Sequence, residues 1–461
     1  MRWGPTVIAI LIVLFAAQGL LQNQIDPIWK KNYWVAGELV EPGLGHEQIL
    51  LALVGFREVL AGILWVRADE FFHQGNYDAI LPLVRLVTLL DPHQVDVYVT
   101  GAWHMGYNFT DEDQRSDRRY LGPALALLNE GVAKNPGTYE LWFELGWMKY
   151  HKIEDFPGAV AAFEQAIKYD DIPLARRNIL VHAYEKNGDP WAALDYYKKL
   201  LALNQKMVDD FPGSDSARVG RDTVEHQLDL HILRMAARGY FAEKRGDYGP
   251  AGYYTTLPPL HDMHFGVRVE VPEPGVINVV GTLGLNPIGA RVRTVLKDAG
   301  YELNLHPREF TFEVDKHVTY MQDSLFNRKS RFARKINMSK DPMMYPFEAK
   351  KYDIEFLWSP QWAPAHIQDR LGWNGEGMTD ERYLDTSVPG LNRIFCRLTI
   401  TRDQILRLGE WRDKMPVIET PNFVEVPEPP PRYREVPPES MPATPREVPP
   451  SKRPHAELEE S

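Results

Sequence analysis

Residues 139–203 read YELWFELGWMKYHKIEDFPGAVAAFEQAIKYDDIPLARRNILVHAYEKNGDPWAALDYYKKLLAL, and the fold turns on a pattern that returns within them. Ala159, Phe163 and Ala166 are answered by Ala193, Tyr197 and Leu200, each 34 residues further on. Apolar side chains at a first position and then at +4 and +7 share one face of a helix. Each copy therefore predicts a helix, a short turn and a second helix. One hairpin cannot bury its own stripe, whereas stacked hairpins bury it between neighbours and leave a concave groove. Ala159 and Ala166 are small where two helices must approach, and Phe163 fills the gap between them. Gly188-Asp189-Pro190 supplies a turn glycine, an acidic N-cap and a proline for the first helical position.

More copies lie upstream. Ala124, Leu128 and Gly131 precede Ala159, Phe163 and Ala166 by 35 residues, and Ile80, Val84 and Val87 precede Ala124, Leu128 and Gly131 by 44. The extra residues fall in the run FTDEDQRSDRR (109–119), which reads as too polar to bury. Ala68, followed by the turn Gly75-Asn76-Tyr77, completes the first unit. A helix-pair period of 34 residues resembles a tetratricopeptide repeat array, with about four hairpins over residues 61–204. The resemblance implies a groove for extended peptides, and Asn178, His182, Tyr184 and Lys186 are its candidate lining. Trp142, Trp147, Tyr150 and Trp191 read as packing residues.

At 461 residues the chain suits two or three domains, and 44% hydrophobic residues are enough for real cores. Its net charge of -11 argues against general nucleic-acid binding. With Cys396 the only cysteine, neither an intrachain disulfide nor a cysteine-rich metal site can form.

Residues 6–21, TVIAILIVLFAAQGLL, follow Arg2 as an almost unbroken apolar run. Such a run is a signal anchor, a cleaved signal or a buried helix. The anchor reading, residues 1–25, predicts a single-pass membrane protein of bacterial exported type with its bulk outside the cytoplasm. Residues 26–60 lead into the repeats, Trp29, Tyr33 and Trp34 reading as interfacial anchors. A helical pattern over 47–72 is barred from a second span by Arg57 and Glu58.

After the repeats, residues 205–250 predict a capping helix, N-capped near Ser214 and running to about Arg245. From Phe265 the period falls to two. Val267, Val269 and Val271; Phe310, Phe312 and Val314; Tyr352, Ile354, Phe356 and Trp358; and Ile394, Cys396, Leu398 and Ile400 each alternate with polar or smaller partners. These predict an antiparallel β-sandwich over residues 265–410. Residues 421–461 hold twelve of the 36 prolines and repeat Glu-Val-Pro at 425, 435 and 447, a composition that predicts polyproline II and disorder. The expected class is thus multidomain α + β: transmembrane helix, α-solenoid, sandwich and proline-rich tail.

Signatures of common enzymes are missing: no G-x-S-x-G, no G-x-x-x-x-G-K-[ST] and no H-E-x-x-H. His261 and His264 lack a third ligand in sequence, so neither a metal nor a cofactor is expected. Arg328, Lys329, Arg331, Arg334 and Lys335 crowd eight residues, either as a solvated face or as an anion site for lipid headgroups, acidic polysaccharide or an acidic partner. Trp358, Trp362 and Trp373 either pack or form a sugar-stacking platform beside Glu376 and Asp380. The sequence thus favours a membrane-tethered scaffold that holds protein partners in its helical groove without catalysis. The alternative is an envelope- or carbohydrate-binding protein that uses its β domain.

Overall fold

The computed structural model describes residues 57–76, 79–108, 118–238, 240–241, 261–285, 290–305, 317–338, 347–380 and 382–427. Helices come first: α1 (Arg57–His73), α2 (Ile80–Leu90), α3 (Val95–Trp103), α4 (Leu121–Lys134), α5 (Tyr139–Met148), α6 (Phe156–Ala166), α7 (Leu174–Asn187), α8 (Pro190–Asp210) and α9 (Asp215–Ala237). They pair in order as four hairpins, and α9 packs along α8. The second helix of each hairpin carries the recurring stripe. Ala124, Leu128, Ala159, Phe163, Ala166, Ala193, Tyr197 and Leu200 are all buried there, and Ala68 is buried in α1.

Close approach explains the small residues. A Cβ at Gly131 would lie 2.8 Å from the Tyr98 ring, and one at Gly146 would lie 2.7 Å from the Phe163 ring. Helix starts are capped by Asp155, whose carboxylate accepts from Gly158 N at 3.0 Å, and by Asp189, which accepts from Ala192 N at 3.0 Å. Gly188 takes the left-handed conformation, φ +77°, that ends α7. Ser214 caps α9, accepting from Ala217 N, but the helix stops at Ala237 rather than near Arg245. Both α3 and α5 run into a single π-helical turn, His104–Asn108 and Lys149–Ile153.

The strands are β1 (His261–Asp262), β2 (Gly266–Glu273), β3 (Val276–Thr282), β4 (Arg291–Asp298), β5 (Tyr320–Phe326), β6 (Arg331–Asn337), β7 (Lys351–Trp358), β8 (Met378–Thr379), β9 (Leu384–Asp385), β10 (Arg393–Thr401) and β11 (Val417–Glu419). Two antiparallel sheets, β5-β4-β7-β10-β9 and β11-β2-β3-β6, face each other, and β1 pairs with β8 in parallel. Their inner faces carry the alternating residues, Val267, Val269 and Val271 against Tyr352, Ile354, Phe356 and Trp358, with Cys396 and Ile400 from β10. Phe332 lies flat over Gly281, where any Cβ would overlap its ring. Short helices α10 (Ala365–Leu371) and α11 (Arg402–Ile405) follow β7 and β10.

The domain runs past the expected boundary at 410. Strand β11 pairs with β2, and Asn422 donates from Nδ2 to Phe265 O at 2.6 Å, so the first residues assigned to the tail belong to the sandwich. Phe310, Phe312 and Val314, the apolar run 6–21, the leading segment 26–56 and residues 428–461 lie outside the described residues. Among the described residues no helix is long and apolar enough to cross a membrane.

The sandwich packs along one edge of the helical stack, the edge made by the turns inside the hairpins. Arg119, just before α4, donates to Val318 O at 2.7 Å; Glu154, just before α6, pairs with Arg293; and Asn374 Nδ2 reaches Gly188 O at 3.5 Å. Arg119 is buried, contrary to its reading as part of a run too polar to bury, because the sandwich covers it and accepts its hydrogen bond.

Candidate functional site

The first helices α3 and α5 present rings at equivalent positions, Trp103 and Tyr107 on one and Trp147 and His151 on the other, 44 residues apart in both cases. The i, i+4 spacing sets each pair on one face of its helix, and the π-helical turns complete that face at its C-terminal end. The rings form a ladder. Trp103 and Tyr107 are 5.6 Å apart with planes at 17°, Tyr107 and His151 are 5.8 Å apart at 13°, and His151 and Trp147 are 5.4 Å apart at 4°. Tyr150 extends it beside Trp147 at 6.1 Å. Trp103 is 44% exposed and His151 is also exposed, so this strip meets solvent.

Charges flank the strip. Lys152 holds its ammonium 4.4 Å from the centre of the Tyr107 ring, and burial draws its pKa down to about 8. Burial and then the nearby Arg118 lower the His151 pKa, which favours a neutral imidazole between its two aromatic neighbours. Glu144 is raised by burial, against the pull of Arg176. Rings, a neutral imidazole and charges of both signs suit stacking and polar recognition of a polypeptide.

The groove residues expected on α7 occupy different surroundings. Tyr184 donates to Glu164 Oε1 at 2.6 Å and packs edge-on against Tyr196, so it links α7 to α6 and α8. Lys186 donates to Ala363 O of the sandwich at 3.4 Å, and its pKa is lowered to about 8 by burial, then by Arg234. Asn178 is half-buried. His182 meets Glu185 Oε2 at 3.3 Å, and His231 meets Glu185 Oε1 at 2.9 Å. Burial alone would raise this carboxyl, but the two histidines outweigh it and hold Glu185 at about 2. The end of α7 is therefore part of the seam with the sandwich, while on α3 and the turn after α5 Trp103 and His151 are exposed among the described residues.

Trp358, Trp362 and Trp373 do not come together on one exposed surface. Trp358 is fully buried in the sandwich core, and Trp373 is 1% exposed because it inserts into the helical stack. There the Arg238 guanidinium covers its ring at 3.6 Å while His231 stacks at 5.8 Å; Arg238 also pairs with Asp369. Trp362 lies under the Arg293 guanidinium at 4.0 Å. Trp358 and Trp373 are thus buried, and Trp362 is half-buried with Arg293 over its ring.

The five basic residues after β5 are split as well. Arg328 and Arg331 close a tight turn whose tip, Lys329 and Ser330, has positive φ. In β6 the alternation puts Arg331 and Lys335 on the outer face, while Arg334 lies on the side of Phe332 and Ile336 and pairs with Asp323 at 3.0 Å. His261 and His264 turn to Gly284 O and Asp262 respectively. Among the described residues no group of three or more His, Cys, Asp or Glu is placed to hold a metal ion.

The structure thus defines a helical-hairpin stack with a docked antiparallel sandwich and an exposed ring strip. No protein-family model matches the chain, and no curated protein matches it. Among solved structures, a crystal structure of MamA protein is similar at 17% identity and a TM-score of 0.26, covering 41% of this chain and 97% of its own. A thermophilic TPR protein of Thermus thermophilus, TTC0263, is similar at 19% identity and a TM-score of 0.26, covering 39% of this chain and 90% of its own. Scores this low carry no weight, so the hairpin reading rests on the packing described above.

Proposed function

We propose that this chain is a non-catalytic scaffold that holds a polypeptide partner on the first-helix face of its hairpin stack, with the strip of Trp103, Tyr107, His151 and Trp147 as the contact surface. The near-parallel ring ladder, exposed at Trp103 and His151, supports this reading, because a preordered aromatic strip binds an extended chain at little entropic cost. The docked sandwich then acts as a brace that fixes the stack and closes its α7 end. The apolar residues 6–21 would tether the assembly to a membrane with its bulk outside the cytoplasm; deleting them should move the protein to the soluble fraction, and its retention in membranes would remove that part.

Quantitative affinity purification compares the full chain with Trp103→Ala and His151→Ala, after thermal melts establish that both variants fold. Proteins that bind wild type and are lost from both variants support the reading. An unchanged set contradicts it. The carbohydrate-binding alternative loses its motive, since the tryptophans that suggested it are engaged within the protein.

A further inference from the structure

Strand β6 forms one edge of the sheet β11-β2-β3-β6, with β3 as its only partner in that sheet. The register fixes which of its backbone groups look outward. Along an antiparallel pair, residues that exchange hydrogen bonds alternate with those that do not. Leu283 N donates to Ser330 O at 3.1 Å at one end of the ladder, and Met338 N donates to Gly275 O at 2.9 Å at the other. In that phase Phe332, Arg334 and Ile336 turn their N–H and C=O groups to β3, whereas Arg331, Ala333 and Lys335 turn theirs to the open edge. Arg331 exchanges its pair with Arg328 at 2.7 and 3.0 Å, which closes the turn after β5. Among the described residues nothing answers the N–H and C=O of Ala333 and Lys335.

The same edge carries unpaired charge. Arg328, Lys329, Ala333 and Lys335 are exposed, and Arg331 is half-buried. Arg334 is taken by Asp323 at 3.0 Å, but among the described residues no carboxylate pairs with Arg328, Lys329, Arg331 or Lys335. These cations gather on one edge of a chain whose net charge is -11. A cationic edge keeps two copies of itself apart, because like charges repel where the strands would meet. It stays open to an extended segment of opposite sign, whose backbone completes the ladder while its carboxylates lie beside the cations. Arg331 and Lys335 share the outer face of β6, about 14 Å apart at about 3.4 Å per residue, and acidic residues at the same spacing on an incoming strand match them. Phosphate polymers and lipid headgroups could neutralise the cations, but they have no strand backbone to answer Ala333 and Lys335.

We propose that the free edge of β6 is a second docking site, at which an acidic polypeptide segment adds as a further strand to the sheet β11-β2-β3-β6. The site lies on the sandwich and does not depend on the ring strip of the helices.

The test is fluorescence anisotropy with the full chain and a labelled Thr-Glu-Ile-Thr-Ile-Glu-Thr peptide, after thermal melts establish that each variant folds. The expected result is saturable binding, weakened about tenfold by Lys335→Glu and about fivefold to tenfold by Ala333→Pro. The proline removes only an outward N–H, which an edge strand tolerates. A Thr-Glu-Ile-Pro-Ile-Glu-Thr peptide, equal in charge but unable to complete the ladder, should bind about tenfold more weakly. Hydrogen exchange over residues 331–337 should slow when the first peptide is added. Equal affinity for the two peptides, or an unchanged affinity in Lys335→Glu, overturns the proposal; these two readings decide it if Ala333→Pro does not fold. Tighter binding of a uridine heptamer or of phosphatidylglycerol vesicles at the same cations would assign the edge to nucleic acid or membrane and overturn it too. Trp103→Ala should bind the peptide as wild type does, so this idea and the ring-strip reading fall separately, and loss of the peptide from that variant would place it on the strip and contradict the β6 site.

Discussion

Trp373→Ala should detach the sandwich from the helical stack without unfolding either. The indole is 1% exposed, belongs to the hydrophobic cluster of the helices and not to the core of the sandwich, and lies under Arg238 at 3.6 Å. Truncating a buried aromatic to alanine costs about 3 to 5 kcal/mol, within which a desolvated cation–π contact accounts for about 2. Because neither domain needs this ring to fill its own centre, the loss falls on docking. What remains includes the Arg238–Asp369 and Arg293–Glu154 pairs, Arg119 on Val318, Arg234 on Gln368, Asn374 on Gly188 and Lys186 on Ala363. Such contacts contribute about 1 kcal/mol each at typical net values, comparable in sum to what is lost. The ratio of docked to undocked protein should therefore fall by about two to three and a half powers of ten. Calorimetry should show one transition in wild type separating into two in the variant, and small-angle scattering should give a larger radius of gyration. Trp358→Ala, by contrast, should destabilise the sandwich alone, since its ring is fully buried in that core. A single transition and an unchanged radius for Trp373→Ala would refute the docking argument.

Three other outcomes follow from the packing and the charges. Ala166→Phe should overpack the junction between hairpins, where Ala166 is fully buried, and lower stability by about 1 to 3 kcal/mol in denaturant titration. An unchanged midpoint would count against the stacking register. Glu185, held at about 2, lies below its ordinary value, so its stabilisation is complete above about pH 4 to 5 and is lost as pH falls toward 2. Wild type should accordingly lose melting temperature in acid more steeply than Glu185→Gln, whereas parallel curves would show that the two histidines do not hold the carboxylate. Gly146→Ala should cost about 1 to 3 kcal/mol because the Phe163 ring occupies the space of the new methyl, and Gly146→Ala with Phe163→Leu should recover part of it; no recovery would place the conflict elsewhere.

The hairpins were legible because burial there is local. Ala159 and Ala193 are both fully buried on the second helices of consecutive hairpins, so packing had to write the same residue twice. Strand period two was legible for the same reason in β2, β7 and β10. Trp373 was not, since its partners Arg238 and His231 are more than a hundred residues away and no periodicity links a sandwich loop to a helix end. The ring strip had a signal that passed as packing. The 44-residue offset that relates Ile80 to Ala124 also relates Trp103 to Trp147 and Tyr107 to His151. Exposure, which separates a ladder from a core, depends on how the first helices line up and on the π-helical turns, and neither is encoded by spacing alone. Of the α7 residues, Lys186 was not legible, because the sandwich that accepts its hydrogen bond is invisible from the repeat.

The central claim is that polypeptides bind the first-helix face. A photoreactive benzoylphenylalanine placed at position 103, on that face, and in a second protein at position 203, exposed on α8, tests it directly in the full chain. Crosslinks to polypeptide from position 103 and none from 203 are the expected result, while crosslinks only from 203, or equally from both, would contradict it.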